Sequence, residues 1–258
     1  MNLVIGNTSQ LSKYFPDDYV KISSRNIDFD YLKKYKWDSV YLCFAEQKTY
    51  DEKIDYESVN CTYTLDVINK VMPISKRVVW YSSADLWNNA KGMYSLGSPT
   101  SFHPSKYLLS KYSTTQELRN KKKYPNVTIL YPVNFNSSYR SGNFLFAKIF
   151  SSVIEKKKAF VKNINFHREI VHTSYIAKQS ISLREDAIIG SGRLIHVGDF
   201  IHSIYDHFNL NVSEYLESDG DNVFPMYVSN CDGSYKTLYS DTIKDLTNRI
   251  VENYLNGK

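Results

Sequence analysis

The chain has no apolar run approaching the roughly 20 residues that a bilayer-spanning helix needs. Its first residues, MNLVIGNTSQL, have too short an apolar stretch and no basic flank for a secretory leader, and they read as a buried first strand. Cysteine is scarce. Cys43, Cys61 and Cys231 are odd in number and scattered, which argues against a disulfide framework and a zinc site and fits a reducing, cytoplasmic setting. Cys43 lies in an apolar run and reads as a core thiol. The six histidines show no ligand spacing, so no metal is expected. His172 and His196 read as structural, while His103, beside Pro104, is placed to approach a site. Internal repeats and low-complexity linkers are absent, and so is any groove-reading motif for nucleic acid.

What remains is an ordinary globular composition, 42% hydrophobic and 23% charged over 258 residues. That length suits one large domain, or a main domain with a small lobe. The net charge is +5. Basic residues concentrate only in RNKKKY (119–124) and IEKKKAF (154–160), each following a helical run. Such runs read as solvated helix C-termini favoured by the dipole, or as a field that attracts an anionic substrate.

The order of elements is informative. NLVIG (2–6), DYVKIS (18–23), DSVYLCFA (38–45), RVVWYSS (77–83), NVTILYPVN (126–134) and DAIIGSG (186–192) read as strands. Between them lie helical runs: a short one up to Pro16, then 29–35, 56–72, 104–122 and the end of 168–183. In 56–72 the helical period puts Val59, Tyr63, Val67 and Val71 on one apolar stripe. Alternating buried strands and helices predict a doubly wound, Rossmann-like parallel sheet over 1–134. The pattern loosens over 135–258, where helices are expected at 144–160, 197–210 and 239–255, forming mainly a small substrate lobe interleaved with the end of the sheet. In such sheets ligands bind beyond the C-terminal strand ends. The loops after Ile5, Ile22, Phe44, Tyr81 and Tyr131 are therefore the places to search.

The first of these loops is GNTSQLS (6–12). Gly6 stands where a nucleotide-binding turn wants its first glycine, and Ser9 and Ser12 stand where two more are expected. Serine keeps the backbone N–H donors of a helix N-terminus at some cost in closeness. With Thr8, Gln10 and Leu11 this loop is a candidate pyrophosphate cradle, and a plain strand–helix turn is the other reading. The second strand ends in ISSRN (22–26) without the acidic residue that would hold the ribose hydroxyls of NAD. Ser23, Ser24 and Arg25 instead offer hydroxyls and a guanidinium suited to a 2′-phosphate, or form a simple polar turn. NADP(H) is thus expected over NAD(H). Phe44 and Ala45, Tyr81, and Tyr131 and Pro132 are the matching candidates at the later strand ends.

Tyr107 and Lys111 are four apart in a helical stretch, PSKYLLSKY, and so share one face. Spacing alone proves little, because Tyr254 and Lys258 repeat it at the chain end. The surroundings are more specific. The strand RVVWYSSADLW ends at Ser82–Ser83, and Tyr107 follows 24 residues later, after Pro104. With VNCTYTLDVI around Asn60, VTILYPVNFN, HREIVHTSYIA and IIGSGRLIHVGDFIHSIYDHFNL, the chain resembles the extended short-chain dehydrogenases/reductases acting on nucleotide sugars. Its C-terminal part is similar to GDP-mannose 4,6-dehydratases.

That resemblance implies roles. Lys111 would stabilise the phenolate of Tyr107, Tyr107 would exchange a proton with a sugar oxygen, and Ser83 would orient that oxygen. Asn60 and the strand-end residues would surround the cofactor, and Asn134, Arg168 and Arg193 would meet the substrate. Asp85 falls where related dehydratases carry a longer acid, with Ala84 beside it unable to move a proton. The expected reaction is reduction of a 4-keto nucleotide sugar. Epimerisation or 4,6-dehydration with internal hydride return is the nearest alternative, and a non-catalytic dinucleotide-binding module is the alternative of another class. A homodimer through the helices of 56–72 and 104–122 is also implied.

Overall fold

Runs such as SVYL, VVWY and VTILYP are apolar on both faces, which suits strands covered on both sides rather than one. The structure, a computed structural model, describes residues 1–47, 53–88, 90, 92–100, 105–220 and 226–256. Six parallel strands form the main sheet: β1 (Asn2–Ile5), β2 (Val20–Ile22), β3 (Ser39–Leu42), β4 (Val78–Tyr81), β5 (Val127–Pro132) and β6 (Ala187–Ile189), in the order β6-β5-β4-β3-β1-β2. Every residue of β3, β4 and β5 is buried, whereas the edge strand β2 is only half-buried. The order reverses between β1 and β3, so the crevice for a ligand opens beyond Ile5 and Leu42.

The connecting helices are α1 (Phe29–Leu32), α2 (Thr64–Val71), α3 (Lys106–Leu118) and α4 (Thr173–Ser182). Asp28 caps α1 by accepting from Tyr31 N–H at 2.9 Å. Two features depart from the sequence expectation. After β1 there is no full helix but a single 3₁₀ turn, Leu11–Tyr14, stopped by Pro16. Ahead of α2, Ser58–Tyr63 winds as a π-turn. Its wider pitch shifts the phase of the helix face. The single stripe is split: Val67 and Val71 are buried, Val59 is turned out, 37% exposed, and Asn60 and Thr64 take the inner positions at 1% each.

The chain divides into two compact units: 1–87, 98–132 and 174–189 with the sheet, and 88–97, 133–173 and 190–258. Among the described residues the second unit holds four short strand pairs. Asn134–Asn136 lies parallel to Ile170–His172, and Gly92–Tyr94 to Tyr227–Ser229. Ala159–Val161 lies parallel to Leu216–Ser218, and His167–Arg168 antiparallel to Ile195–His196. Helices Leu145–Glu155, Val197–His207 and Leu238–Leu255 pack Phe150, Ile201, Ile204, Tyr205 and Leu246 into its core. Leu145–Glu155 ends where Lys156 takes a left-handed conformation, φ 51°. Among the described residues no helix is long and apolar enough to cross a membrane, and no group of three potential ligands for a metal is present.

Candidate functional site

The C-terminal ends of β1 to β5, with the π-turn ahead of α2 and the helix α3, carry the candidate residues of the first unit. Gly6 is held with φ +107°, and its N–H donates to Ile22 O at 2.9 Å. A Cβ here would sit 2.8 Å from both the carbonyl carbon and oxygen of Cys43. These are backbone atoms with nowhere to go, so only glycine lets the first loop pass so close to the end of β3. This tight cradle fits a dinucleotide at the switch point.

The serines at the other two expected glycine positions do more than leave the backbone accessible. Ser9 N–H returns to Gly6 O at 3.0 Å, Ser12 N–H donates to Ser9 Oγ at 3.1 Å, and Ser12 Oγ donates to Asn7 O (2.9 Å) or Ser9 O (2.7 Å). Side-chain bonds therefore consume groups that a glycine loop would present to a phosphate, and a single 3₁₀ turn follows. The dipole of so short a helix adds little. Thr8 is exposed, and Gln10 and Leu11 are buried.

At the end of β2, Arg25 N–H donates to Ser23 Oγ at 3.0 Å, and Asn26 turns the chain with φ 57°. Ser24 O accepts from the hydroxyl of Tyr63. Arg25 is exposed, so its guanidinium is unrestrained, and the nearest downstream carboxylate, Asp28, is committed to the α1 cap. Phe44 packs against Tyr63 with ring centroids 5.6 Å apart, and Ala45 is half-buried. Asn60 joins this loop to α3. Its Oδ1 accepts from Glu46 N–H (2.8 Å), while Nδ2 donates to Glu46 O (3.0 Å) and Ser110 Oγ (3.2 Å). Ser110 Oγ donates in turn to Tyr107 O at 2.7 Å.

Lys111 is the enclosed cation of the site. It is 2% exposed, donates from Nζ to Tyr81 O at 2.8 Å and lies 5.0 Å from the ring centroid of Trp80. Burial lowers its pKa from the usual lysine range to about 7. Tyr107, one turn earlier, is half-buried with its ring edge-on to Tyr56 at 6.1 Å. Ser82 Oγ pairs with Thr115 Oγ1 at 2.8 Å, which fixes β4 to α3. Ser83 is 8% exposed, and its Oγ accepts from Asp85 N–H at 3.2 Å, a bond that leaves the serine proton to donate elsewhere. Asp85 itself sits in the 3₁₀ turn Ala84–Trp87.

Tyr81 contributes its carbonyl, because its phenol is enclosed and driven well above the usual tyrosine pKa by burial. Tyr131 is 1% exposed and packs edge-on to Trp87, with centroids 5.1 Å apart, and Pro132 closes β5. His103 and Pro104 lie outside the described residues, as does Lys258. Sequence reasoning missed Tyr56, Thr115 and Trp80, and gave Ser110 no task although it stands within the quoted PSKYLLSK run. A depression of about 790 Å³ lies at the other end of the sheet, beside Lys76, Arg77, Lys121 and Arg184. Two of these cations are already paired, Lys76 with Asp38 and Lys121 with Asp186.

In the second unit, Asn134 opens its strand and is half-buried, and Arg193 is exposed. Arg168 stacks its guanidinium 5.0 Å from the ring centroid of Tyr227, and its Nη1 is enclosed without a hydrogen-bond partner. His172 is buried, with Nε2 3.4 Å from Asp245 Oδ2.

No protein-family model matches this chain, and no curated protein does. Solved structures do match. A UDP-N-acetylglucosamine 4-epimerase from Methanobrevibacter ruminantium M1, in complex with UDP-N-acetylmuramic acid, aligns over 97% of this chain and 98% of its own, with a TM-score of 0.80 at 13% identity. A dTDP-glucose 4,6-dehydratase double mutant from Streptomyces venezuelae with NAD bound gives 0.76 at 15% identity, covering 98% and 97%. A UDP-glucuronic acid 4-epimerase from Bacillus cereus in complex with NAD gives 0.75 at 13% identity, covering 98% and 97%. The chain has the Rossmann-like fold of these nucleotide-sugar epimerases and dehydratases.

Proposed function

We propose that the chain is an NAD(P)-dependent enzyme of the extended short-chain dehydrogenase/reductase type, acting on a nucleotide-linked sugar. One observation carries this reading. The buried Lys111 ammonium is anchored on Tyr81 O at 2.8 Å, one helical turn from Tyr107, at the strand end that also presents Ser83. A lysine so placed stabilises a phenolate and lets Tyr107 exchange a proton near neutral pH. Ser83 donates its remaining proton to the same sugar oxygen and orients it. Bound nicotinamide supplies or accepts the hydride. Gly6, Asn60 and the loop at 44–46 form its cradle, and Asn134, Arg168 and Arg193 are the groups for the substrate.

The reaction that asks least of this site is reduction of a 4-keto sugar, with Tyr107 as the acid. Ala84 removes one of the extra groups a dehydratase uses, and Asp85 has its backbone tied to Ser83. The lack of a carboxylate at the end of β2, with the exposed Arg25 beside Ser23 and Ser24, favours NADPH as the reductant. Epimerisation or dehydration with internal hydride return is supported by a different observation: two of the fold neighbours above are described with NAD bound. We assign the enzyme as a homodimer, because Val59 on the π-turn (37% exposed) and Leu109 on α3 (42%) leave apolar side chains on the outside of two adjacent helices.

The test is a fluorescence titration with NADPH and NADH, followed by turnover on 4-keto nucleotide sugars. Tighter NADPH binding that Arg25→Ala abolishes, and stoichiometric NADPH consumption that Tyr107→Phe abolishes, are the expected results. Oxidised cofactor retained through purification would turn the reading to epimerisation or dehydration. Cofactor binding without turnover on any sugar nucleotide would make the chain a non-catalytic dinucleotide-binding module.

A further inference from the structure

Glu169 lies in the second unit, is 3% exposed, and faces no lysine or arginine in an ion pair among the described residues. A carboxylate so enclosed requires donors, and here they come from two distant segments. Oε1 accepts from Gly192 N–H at 2.7 Å and from Ser229 Oγ at 2.6 Å, with Ser191 Oγ at 3.5 Å. Oε2 accepts from Ser229 N–H at 2.7 Å. Two of the segments' glycines show how closely the loop 190–193 is pressed into place. A Cβ on Gly190 would sit 2.3 Å from Glu169 Oε1, and one on Gly192, whose φ is +65°, would sit 2.4 Å from Cys231 O.

Each arm of this network ends at an arginine. On one side, Gly192 precedes Arg193, and Ser191 Oγ bridges Arg193 N–H (3.3 Å) and Arg193 O (3.1 Å). On the other, Ser229 and Tyr227 are two apart in one strand and share a face. The ring of Tyr227 supports the Arg168 guanidinium at 5.0 Å. Arg168 is also the neighbour of Glu169 in the chain, and its enclosed, unpartnered Nη1 is a donor awaiting an acceptor. One carboxylate thus sets the backbone behind two guanidinium groups without touching either head group in an ion pair.

We propose that Glu169 is a positioning residue that fixes Arg168 and Arg193 to receive the diphosphate of a nucleotide-linked substrate. The assignment rests on the nucleotide-sugar reading above. Guanidinium forks recognise phosphate oxygens only when correctly aimed, so a loosened loop weakens binding without altering the chemical step.

The experiment is calorimetric titration of the full chain with UDP, dTDP and GDP, and separately with NAD and NADPH. For the nucleotide that wild type binds, Glu169→Gln is expected to weaken affinity by about tenfold or more, the equivalent of one charge-assisted hydrogen bond. An amide oxygen in the place of Oε1 leaves an NH2 group in the place of Oε2, which cannot accept from Ser229 N–H. Dinucleotide affinity stays within about twofold, because its cradle lies in the other unit. In turnover the loss falls on KM, with kcat retained, and Glu169→Asp restores part of it. Ser191→Ala breaks the link to Arg193 while sparing the carboxylate, and gives the same loss with an unchanged melting temperature. Arg168→Ala and Arg193→Ala each lose nucleotide affinity. Glu169→Gln and Ser191→Ala with wild-type affinity would overturn the proposal and leave Glu169 a structural carboxylate. Arginine variants that bind normally would overturn it too. Wild type that binds none of the three nucleotides would remove the substrate reading itself, a result distinct from either.

Discussion

Lys111 Nζ donates to the main-chain oxygen of Tyr81 at 2.8 Å, with 2% of the lysine exposed. The ammonium has one carbonyl and the face of Trp80 in place of water. That is poor solvation for a full charge, and its pKa of about 7 follows from it. The sign of the consequence for stability is definite. Between pH 7 and the unfolded lysine value the folded chain binds fewer protons than the unfolded one, so stability rises with pH across that window. Below pH 7 the cost is present in full, on the order of 5 kcal/mol.

Lys111→Met should therefore raise stability at pH 7 and below, by an amount reduced by about 1 kcal/mol for the unpaired Tyr81 carbonyl. The gain should shrink as pH rises from 7 to 10. Urea midpoints of both proteins at several pH values check this. Because other tyrosines and lysines titrate in both, only the difference between the two curves isolates Lys111. Turnover is expected to disappear in the same variant, which separates a group kept for chemistry from one kept for stability.

Asn60 makes three side-chain hydrogen bonds while 1% exposed. Asn60→Ala removes its hydrogen bonds to Glu46 N–H and Glu46 O and a donor from Ser110. A loss of about 1–3 kcal/mol is expected, since Asn60 and Ser110 are buried while the Glu46 main chain is half-buried and can turn to water. Denaturant midpoints at constant m-value measure it. Cofactor affinity should fall along with stability, because the freed segment is the loop beyond β3.

The contrast between Lys111 and Asn60 shows what was legible in the sequence. Strands such as VVWY and VTILYP were readable because burial on both faces leaves an unbroken apolar run. Tyr107 and Lys111 were readable because a helix brings residues four apart onto one face whatever lies around them. The inward turn of Asn60 was not readable. It depends on a π-turn held against α3 by Thr114 Oγ1, which donates to Asn60 O at 2.9 Å, whereas α-periodicity put Val59 on one stripe with Val67 and Val71. The wiring of Ser9 and Ser12 was hidden for a related reason, since a serine in a glycine position can leave the backbone open or bind it. Glu169 stood inside a quoted segment yet drew no notice. An acid beside an arginine reads as a surface pair, and its true donors are Gly192 and Ser229, 23 and 60 residues away.

Gly6→Ala tests the cradle between β1 and β3. The new Cβ would meet Cys43 backbone atoms at 2.8 Å, with φ at +107°. Both terms oppose any side chain, and left-handed strain alone costs about 1–3 kcal/mol. The variant should be destabilised by at least that much, by thermal or chemical denaturation, and the loop should move away from β3. Loss of dinucleotide binding beyond the loss of stability would show that the close approach itself holds the ligand.

The outer surfaces of the π-turn and α3 set the last expectation. Val59 and Leu109 are apolar and 37% and 42% exposed, on two helical segments that already pack together through Asn60, Ser110 and Thr114. Isolated exposed side chains are ordinary on a monomer, but two on neighbouring helices begin a patch. A second copy related by a two-fold axis would bring the same patch against itself and bury it. Sedimentation velocity at micromolar concentration should show a dimer for the wild-type chain and a monomer for Leu109→Asp, because a buried carboxylate facing its own copy has no partner. Leu109 points away from Lys111 by half a turn, so the folded Leu109→Asp monomer should keep the Lys111 environment and its effect on the pH dependence of stability. A wild-type monomer at that concentration would remove the dimer from the account while leaving the site in the first unit as it stands.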